Sequence, residues 1–396
     1  MADLFVLTFT ALAAMSFLVG LASFLGGVRF RIRALRSRRG TLPAYAPPVA
    51  VVVAAKGLEP NLAENLAALL DQDYPSYRVI FALDDLEDAA HAVIRSVAAE
   101  KEVPVMVVAA TPVRNATGKA AALTRASKEL TNEDAVIAFM DSDAGPPRHW
   151  LRDLVVPLQD AGTGATTTYR WYVHDRSLAS AARSAWNAAG TNILFDPRLN
   201  FAWGGSYAIR HDAFVRTYIA AKWGSALSDD MVVTQAVKNE GLRVAYVPAA
   251  TVVTDEPCDW HAALEWTTRQ TVMMRAYDPR VTRYAALAYG TITGSIDLGI
   301  GLAAVALLGN PAYALAAILL LAHLPFLAAK ALLRLATFRR ITGQRLGPTA
   351  AFVLGSLIAP WLTLYNLNVA RKVRVLSWRG TLYEIRGPAP IRVVRR

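Results

Sequence analysis

The sequence is poor in charged residues and in cysteine. Only 18% of its 396 residues are Asp, Glu, Lys or Arg, and 54% are hydrophobic, whereas charged residues make up about a quarter of an ordinary soluble domain. The single cysteine, Cys258, excludes a disulfide within the chain and a cysteine-rich metal cluster. We therefore expect a protein that meets lipid, in a reducing or cysteine-indifferent compartment.

Several ligand-binding motifs are also missing. The chain has no G-x-G-x-x-G or Walker sequence, which argues against phosphate binding on a glycine loop. The six histidines are scattered, without the H-x-x-x-H or H-E-x-x-H spacing of a zinc site. The net charge of +11 does not indicate nucleic acid, because the basic residues cluster beside apolar segments instead of alternating with aromatic ones.

The first apolar segment predicts a membrane anchor. Residues 4–28 carry no charge and are long enough to cross a hydrocarbon layer of about 30 Å. Arginines follow this segment but do not precede it, which places the next domain in the cytoplasm by the positive-inside rule. We predict a transmembrane helix over residues 1–28 and a basic linker over residues 29–48.

Apolar segments return near the end of the chain. We assign residues 281–370 to C-terminal membrane segments and residues 371–396 to a basic tail. Residues 284–308 and 312–329 resemble a membrane hairpin. For residues 349–369 two courses stay open: a full span leaves the basic tail outside, whereas a re-entrant or interfacial segment, which we favour, returns it to the cytoplasm.

The region between, residues 49–280, has the pattern of an α/β domain. Short β-branched runs alternate with segments of helical spacing, which is typical of buried parallel strands joined by helices. The pattern predicts a doubly wound, Rossmann-like sheet. The predicted strands are Val49–Ala55, Val79–Leu83, Val105–Ala109 and Val136–Met140, and the helices are Asn61–Leu70, Ala89–Ala99 and Gly118–Leu130.

Acidic residues follow two of these strands. Asp84 and Asp85 come after the second strand, and Asp141 and Asp143 come after the fourth. Such sheets bind ligands beyond the carboxyl ends of their strands, and two carboxylates at a strand end can hold a divalent ion together with phosphate oxygens. The structural alternative is that these aspartates cap helices and begin turns.

Two helix starts carry further candidates. Lys119 begins a predicted helix, where it can meet a diphosphate with the help of the helix dipole, or can be an ordinary solvated lysine. Asp229 and Asp230 open a later helix over residues 232–239. A carboxylate there can accept a proton from a hydroxyl group, and simple helix capping is the competing interpretation.

The order and spacing of the motifs resemble glycosyltransferase family 2 with its GT-A fold, and especially the ceramide glucosyltransferase-like membrane enzymes of family 21. The resemblance covers most of the chain. The segments that carry it are VAVVVAAKGLEPNLAENLAALLDQDYP, VIFALDDLEDA, RNATGKAAAL, FMDSDAGPPRHWL, WGGSYAIRHDAF, SDDMVVTQAVKNEGLRVAY and EWTTRQTVMMRAY.

The resemblance implies roles for the acidic residues. Asp85 is expected to contact the nucleotide, with Asp84 as a possible substitute. Asp143 is expected to bind a divalent metal, Mg²⁺ or Mn²⁺, assisted by Asp141. Asp230 matches the general base that deprotonates the acceptor hydroxyl for attack with inversion at the anomeric carbon.

Further substrate-binding candidates come from the same motifs. Lys56 lies in the first of them, and Gly204 and Gly205 lie in the segment that borders donor and acceptor.

The family's (Q/R)-x-x-R-W motif is altered in this chain. The candidates here are Arg269, Gln270 and Arg275, with a longer spacing and with Tyr277 in place of the tryptophan. Arg275 is expected to neutralise the leaving diphosphate. The tail Ser377–Gly387 also resembles one found in these enzymes, which favours a cytoplasmic tail.

The sequence thus predicts an inverting, metal-dependent glycosyltransferase. It would move a sugar from a UDP-sugar, with UDP-glucose as the first choice, to the hydroxyl of a membrane lipid such as ceramide. We expect it in a bacterial inner membrane with the catalytic domain in the cytoplasm. The alternatives are a processive polysaccharide synthase and a non-catalytic membrane protein that binds nucleotide sugars.

Overall fold

The computed structural model describes residues 2–37, 45–110, 115–385 and 391–395. The α-helices are α1 (Ala2–Arg36), α2 (Leu62–Leu69), α3 (Ala89–Ala98), α4 (Gly118–Ala126), α5 (Trp150–Val155), α6 (Leu178–Ala189), α7 (His211–Arg216), α8 (Ile219–Trp223), α9 (Asp229–Asn239), α10 (Trp260–Tyr277), α11 (Pro279–Leu307), α12 (Ala314–Leu321), α13 (His323–Thr342) and α14 (Thr349–Lys372). The strands are β1 (Val49–Ala54), β2 (Tyr77–Leu83), β3 (Val105–Ala109), β4 (Val136–Asp141), β5 (Thr163–Thr167), β6 (Arg170–Val173), β7 (Ser206–Arg210), β8 (Arg243–Tyr246), β9 (Val252–Asp255), β10 (Val375–Trp378), β11 (Thr381–Ile385) and β12 (Ile391–Arg395).

The chain divides into two compact units. The helical unit comprises Met1–Arg36, Val173–Asn192 and Pro257–Lys372. The α/β unit comprises Ser37–Tyr172, Ile193–Glu256 and Val373–Arg396. The predicted domain 49–280 therefore contributes residues to both units.

The main sheet of the α/β unit has the strand order β3-β2-β1-β4-β7-β5-β8. β1 pairs in parallel with β2 and β4, and β2 pairs in parallel with β3. The chain thus moves outward from β1 to β3 and then returns to the other side of β1 with β4. The strand order reverses between β1 and β4, and the carboxyl ends of strands at such a reversal are where open α/β sheets bind ligands.

The parallel half of the sheet forms because its strands are apolar on both faces. Val49–Val53 of β1 and Val136–Met140 of β4 are buried throughout, as expected for strands covered on two sides. The predicted α/β, Rossmann-like class is confirmed, and the four predicted strands agree with β1 to β4 within two residues at each end.

The sheet is mixed because one strand runs against its neighbours. β7 pairs antiparallel with both β4 and β5. The beginning of β7 therefore lies at the carboxyl end of β4, and the backbone N–H of Asp141 donates to the carbonyl of Gly205 at 3.0 Å. This pairing brings Gly204 and Gly205 to the same edge as the aspartates at the carboxyl end of β4.

The α/β unit also contains a small antiparallel sheet, β10-β11-β12. β10 and β11 form a hairpin in which Trp378 pairs with Thr381. Only Arg379 and Gly380 separate these strands, so the C-terminal tail is in part an ordered hairpin. The last residues of the family-like tail segment, from residue 386, lie outside the described residues.

Four helical segments of the helical unit are long and apolar enough to cross a membrane: Leu4–Arg36, Pro279–Leu307, Pro311–Thr342 and Thr349–Lys372. Large apolar side chains on them, such as Leu7 and Leu307, are exposed, an arrangement that lipid favours and water does not. Polar side chains also contact one another between these helices. Ser16 contacts both Ser295 (2.6 Å) and His323 (2.9 Å).

The helices extend some sequence predictions. α1 ends at Arg36 and not at Val28, so the first arginines of the predicted linker are helical. Arg38, Arg39 and Pro43 of that linker lie outside the described residues. Residues 349–369, for which the sequence left open a full span or a re-entrant segment, lie in one continuous helix, α14, which passes through Pro360. Its course relative to a bilayer stays a prediction.

Candidate active site

The carboxyl edge of the main sheet carries two groups of charged side chains, both within the α/β unit. We define the inner cluster as Lys119, Asp141, Asp143, Arg170, Asp229 and Asp230. We define the outer cluster as Lys56, Glu59, Asp84 and Arg379.

Arg170 joins Asp141, the last residue of β4, to Asp143, which lies two residues further along the chain. One guanidinium nitrogen, Nη2, lies 2.7 Å from Asp141 Oδ2 and 2.7 Å from Asp143 Oδ1, and Nη1 lies 2.8 Å from Asp143 Oδ2. The guanidinium also lies 5.2 Å from the ring centroid of Tyr172 and 5.0 Å from that of Trp203, within the range of cation–π attraction. Because the side chain of Arg170 is only 5% exposed, its charge must be compensated by these partners.

The pKa of Asp143 follows from this contact. Burial by itself raises the pKa of the carboxyl, but the charge and hydrogen bonds of Arg170 outweigh burial and hold it below its usual range. Asp143 is therefore ionised at neutral pH and provides a hard anionic oxygen at the strand end.

Lys119 links the two sides of the inner cluster. It lies in the first turn of α4, whose N-cap Thr117 accepts a hydrogen bond from the N–H of Ala120 at 3.3 Å. Its Nζ lies 2.6 Å from Asp141 Oδ1, 2.9 Å from the carbonyl oxygen of Gly204 and 3.7 Å from Asp229 Oδ2. Burial opposes its charge, but the surrounding carboxylates raise the pKa of Lys119 above its ordinary value.

The two glycines before β7 allow carboxylates to approach the backbone closely. The N–H of Gly204 donates to Asp230 Oδ2 at 2.8 Å, and a Cβ atom on Gly204 would lie 2.9 Å from that oxygen. A Cβ atom on Gly205 would lie 2.7 Å from Asp141 Oδ2 and would overlap the ring of Trp203. Both positions therefore require glycine for steric reasons.

Asp229 and Asp230 begin α9 but differ in environment. Asp229 is buried, and burial, with the neighbouring charges of Asp230 and Asp141, raises its pKa to about 7 although Lys119 opposes the shift. Asp230 is partly exposed and accepts hydrogen bonds from the N–H of Gly204, the N–H of Met231 and the hydroxyl of Ser228. Asp230 is thus the member of the pair that a ligand can reach.

The outer cluster surrounds the ends of β1 and β2. Lys56 Nζ lies 2.8 Å from Asp84 Oδ2, and both side chains are partly exposed. Glu59 accepts a hydrogen bond from Ser142 Oγ at 2.6 Å and forms an ion pair with Arg379. Burial first, and then the charge of Asp143, raise the pKa of Glu59.

The structure groups most, but not all, of the predicted site residues. It brings together Lys119, Asp141, Asp143, Gly204, Gly205 and Asp230, and it places Lys56 and Asp84 in the outer cluster. Asp85 is exposed, and its side chain accepts a local hydrogen bond from the N–H of Glu87 at 3.0 Å. Its contact with a nucleotide stays a prediction.

The residues of the altered family motif lie in the helical unit. Arg269, Gln270 and Arg275 are on α10 and are partly exposed. Arg275 donates a hydrogen bond to the carbonyl of Ala370 in the last turns of α14. Their predicted contact with the donor diphosphate stays a prediction.

The donor set at the end of β4 fits a divalent metal. Asp141 and Asp143 present hard carboxylate oxygens, and a cation, the guanidinium of Arg170, already lies between them. In the described part of the chain, no group of three or more His, Cys, Asp or Glu side chains is arranged to hold a metal. Two carboxylates from the protein, with further ligands from water and substrate phosphates, are typical of Mg²⁺ sites in phosphate-binding enzymes.

Sequence reasoning missed three charged members of this edge: Arg170, Glu59 and Arg379. Arg170 had a detectable signal, because it is the only charged residue in the run Thr163–Val173, and a charge in such a run must be paired when the run is buried. Glu59 and Arg379 are 320 residues apart in the chain, and nothing in their local sequence indicates that they form an ion pair.

Comparison with solved structures finds distant likenesses. The mannosyltransferase PcManGT from Pyrobaculum calidifontis, in complex with GDP-Man and Mn²⁺, is 20% identical, with 91% of this chain and 98% of that chain covered and a TM-score of 0.47. Glucosyl-3-phosphoglycerate synthase from Mycobacterium tuberculosis, in complex with Mn²⁺, UDP-Glc and phosphoglyceric acid, is 16% identical, with 60% and 84% covered and a TM-score of 0.40. Similarity at this level says nothing about the substrates of this chain.

The family assignment comes from the sequence itself. A search of curated proteins gives no match. The profile described as "Glycosyl transferase family 21" matches residues 8–389, which is nearly the whole chain and includes every residue of the inner and outer clusters. The chain therefore belongs to glycosyltransferase family 21, and it is a glycosyltransferase.

Proposed function

We propose that this glycosyltransferase moves a sugar from a UDP-sugar, with UDP-glucose as the first choice, to the hydroxyl group of a membrane lipid such as ceramide, with inversion at the anomeric carbon. One observation carries the proposal. Asp230 binds the N–H of Gly204, the carbonyl of Gly204 binds Lys119, and Lys119 binds Asp141. A candidate base and the candidate metal ligands are thus joined by one continuous set of contacts.

Asp230 has the hydrogen-bonding capacity that a base requires. A carboxylate oxygen has two lone pairs. Oδ1 accepts from the hydroxyl of Ser228 and the N–H of Met231, whereas Oδ2 accepts from the N–H of Gly204 alone among the described residues. Oδ2 therefore keeps a lone pair for the proton of an acceptor hydroxyl, and the three donors hold the carboxylate in place.

The proposed step balances without a further reactant. The acceptor oxygen forms a bond to the anomeric carbon of the sugar while its proton passes to Oδ2 of Asp230. The bond between the anomeric carbon and the diphosphate oxygen breaks, and its electron pair leaves with UDP. Attack from the face opposite the leaving group produces the inverted glycoside.

The cations of the site would stabilise the charge of the diphosphate. Lys119 lies at the amino-terminal end of α4, where the helix dipole also favours anions. A divalent metal held by Asp143 and Asp141 would supply Lewis-acid stabilisation of the leaving diphosphate. We assign Asp84 or Asp85 to the nucleotide, and Arg269, Gln270 and Arg275 to the diphosphate and acceptor, as the family resemblance implies.

The lipid acceptor is supported by the composition of the helical unit. Four segments are long and apolar enough to cross a membrane, so the protein would share a bilayer with a lipid that carries the acceptor hydroxyl. The arginines at the end of α1 would face the cytoplasm by the positive-inside rule. We propose that the α/β unit is cytoplasmic and that the membrane is a bacterial inner membrane.

The test is lipid glycosylation by the full chain in detergent. Radiolabelled UDP-glucose, ceramide and Mn²⁺ or Mg²⁺ should give a labelled product in the organic phase. Asp230→Asn keeps the size of the side chain but removes the base, and we expect kcat to fall by about 10²–10⁴-fold. Glu64→Gln, which changes an exposed carboxylate on α2, should leave kcat unchanged.

Asp229→Asn distinguishes the two neighbouring carboxylates. If Asp229→Asn abolishes transfer while Asp230→Asn retains it, the assignment of the base to Asp230 is wrong. A polymeric product would instead identify a processive synthase. Failure of every UDP-sugar and lipid tested, with the wild-type chain folded, would count against the proposed function as a whole.

A further inference from the structure

The turn of the C-terminal hairpin carries an arginine in an unusual backbone conformation. Arg379 and Gly380 are the two residues between β10 and β11, and their φ angles are +48° and +79°. Two-residue turns with two positive φ angles normally use Asn, Asp or Gly at the first position. A long side chain held in the left-handed region is uncommon, and such positions concentrate at ligand sites.

The hairpin is fixed to the edge of the main sheet by contacts from its turn and from β11. Arg379 forms an ion pair with Glu59 and donates to the carbonyl of Lys56 at 3.2 Å. The hydroxyl of Tyr383, on β11, accepts a hydrogen bond from the N–H of Gly118 at 3.3 Å. The turn is thus held near the end of β1 and near the beginning of α4.

These contacts place Arg379 at the reversal of strand order between β1 and β4. Lys56 follows β1 by two residues, and Ser142 follows β4 directly. Glu59, the partner of Arg379, also accepts the hydrogen bond of Ser142 at 2.6 Å. The guanidinium is therefore beside the crevice where a sheet of this topology binds nucleotides, close enough to Asp143 that its charge helps to lower the pKa of that carboxyl.

We propose that Arg379 binds the diphosphate of the sugar donor and that Glu59 holds the guanidinium in place while no donor is bound. This inference rests on the proposed function, because it requires a nucleotide-sugar donor. The planar guanidinium matches two phosphate oxygens as well as it matches a carboxylate. The side chain of Arg379 is 46% exposed, so the guanidinium can release Glu59 and bind phosphate without unfolding of the hairpin.

The test compares UDP with UMP, since the two ligands differ only by the β-phosphate. Binding is measured by calorimetry on the full chain in detergent at a constant Mn²⁺ concentration. For Arg379→Gln we expect UDP affinity to fall by about 10–100-fold, because a charge-assisted hydrogen-bonded pair is lost, while UMP affinity changes less than about twofold. Arg379→Lys keeps the positive charge but cannot bind two phosphate oxygens at once, so its UDP affinity should lie between those of the wild type and Arg379→Gln.

Arg392→Gln is the matched control. It removes the same charge from the exposed face of β12, in the same small sheet, and should leave both affinities unchanged. Equal losses of UDP and UMP affinity in Arg379→Gln would indicate a purely structural role for the turn and would overturn the inference. So would equal UDP binding by Arg379→Gln and the wild-type chain, which leaves the proposed function intact. Wild-type protein that does not bind UDP would refute both proposals.

Discussion

The inner and outer clusters lie at one edge of one sheet, yet they balance charge differently. The inner cluster has four carboxylates, Asp141, Asp143, Asp229 and Asp230, against the two cations Lys119 and Arg170. The outer cluster has two of each kind. Arg170 is 5% exposed, whereas Lys56 is 44% exposed and Arg379 is 46% exposed.

This difference indicates what each cluster accepts. The inner cluster has an excess of negative charge, which a metal ion or a proton relieves. Burial first, and then the charges of Asp230 and Asp141, raise the pKa of Asp229 in this cluster. The outer cluster is balanced and accessible, so its cations can exchange a carboxylate partner for a phosphate at low cost. Substitutions should therefore have large effects in the inner cluster and small effects on folding in the outer one.

Arg170→Gln, in the inner cluster, is the substitution with the largest expected effect on stability, and it tests the contrast between the two clusters. Without the guanidinium, Asp141 and Asp143 lose their shared partner in a buried site, and we expect the free energy of unfolding to fall by about 3–5 kcal/mol. The measurement is thermal or denaturant unfolding of the full chain in detergent.

The control for this variant is Arg243→Gln. Arg243 forms an ion pair with Asp160 at 2.6 Å, but both side chains are about 60% exposed, so water and salt screen the attraction and its loss should change stability little. Arg170→Lys keeps the positive charge but cannot pair with both carboxylates as the guanidinium does, so its free energy of unfolding should lie between those of Arg170→Gln and the wild type. Equal stability of Arg170→Gln and Arg243→Gln would remove the distinction between buried and exposed clusters.

The parts of the site that sequence predicted are those with a local signal. The aspartates after β4 and the start of α4 were predicted because continuous apolar runs identify strands, and ligand residues follow strands at a known edge. The antiparallel insertion of β7 was not predicted, since strand direction depends on pairing across distant segments. Arg379 was missed because only the folded sheet brings its partners near. Arg170 had a local signal, a lone charge in an otherwise uncharged run, but nothing in that run identifies Asp141 and Asp143 as its partners.

Asp229→Asn tests the buried carboxyl of the inner cluster, because the contribution of this carboxyl to stability depends on pH. The pKa of Asp229 is about 7 in the folded protein, above the ordinary value of about 3.9 expected in the unfolded chain. Between these values the folded chain holds a proton that the unfolded chain has lost. The stabilisation from this group is therefore complete below about pH 4 and is lost as pH rises through about 7.

Asparagine is neutral at every pH, so Asp229→Asn does not lose stability as pH rises through about 7. The Tm of Asp229→Asn relative to wild type should increase from pH 5 to pH 8. Asp143→Asn is the control with the opposite sign: the pKa of Asp143 is lowered, so its stabilisation is present throughout that range and is lost only in acid. Its Tm deficit should stay constant from pH 5 to pH 8. A constant difference for Asp229→Asn as well would show that Asp229 is ionised like its neighbours.

The smallest expected effect on folding belongs to the outer cluster. Lys56 and Asp84 are 2.8 Å apart, but their side chains are 44% and 30% exposed, so water and salt screen the attraction. Lys56→Gln should change the free energy of unfolding by about 0–1 kcal/mol, and that change should disappear at high ionic strength, where the Debye length is about 3 Å. The measurement is urea unfolding at low and high salt. A loss comparable with that of Arg170→Gln would mean that the outer cations hold the edge of the sheet together and are not free to exchange their carboxylate partners for a phosphate.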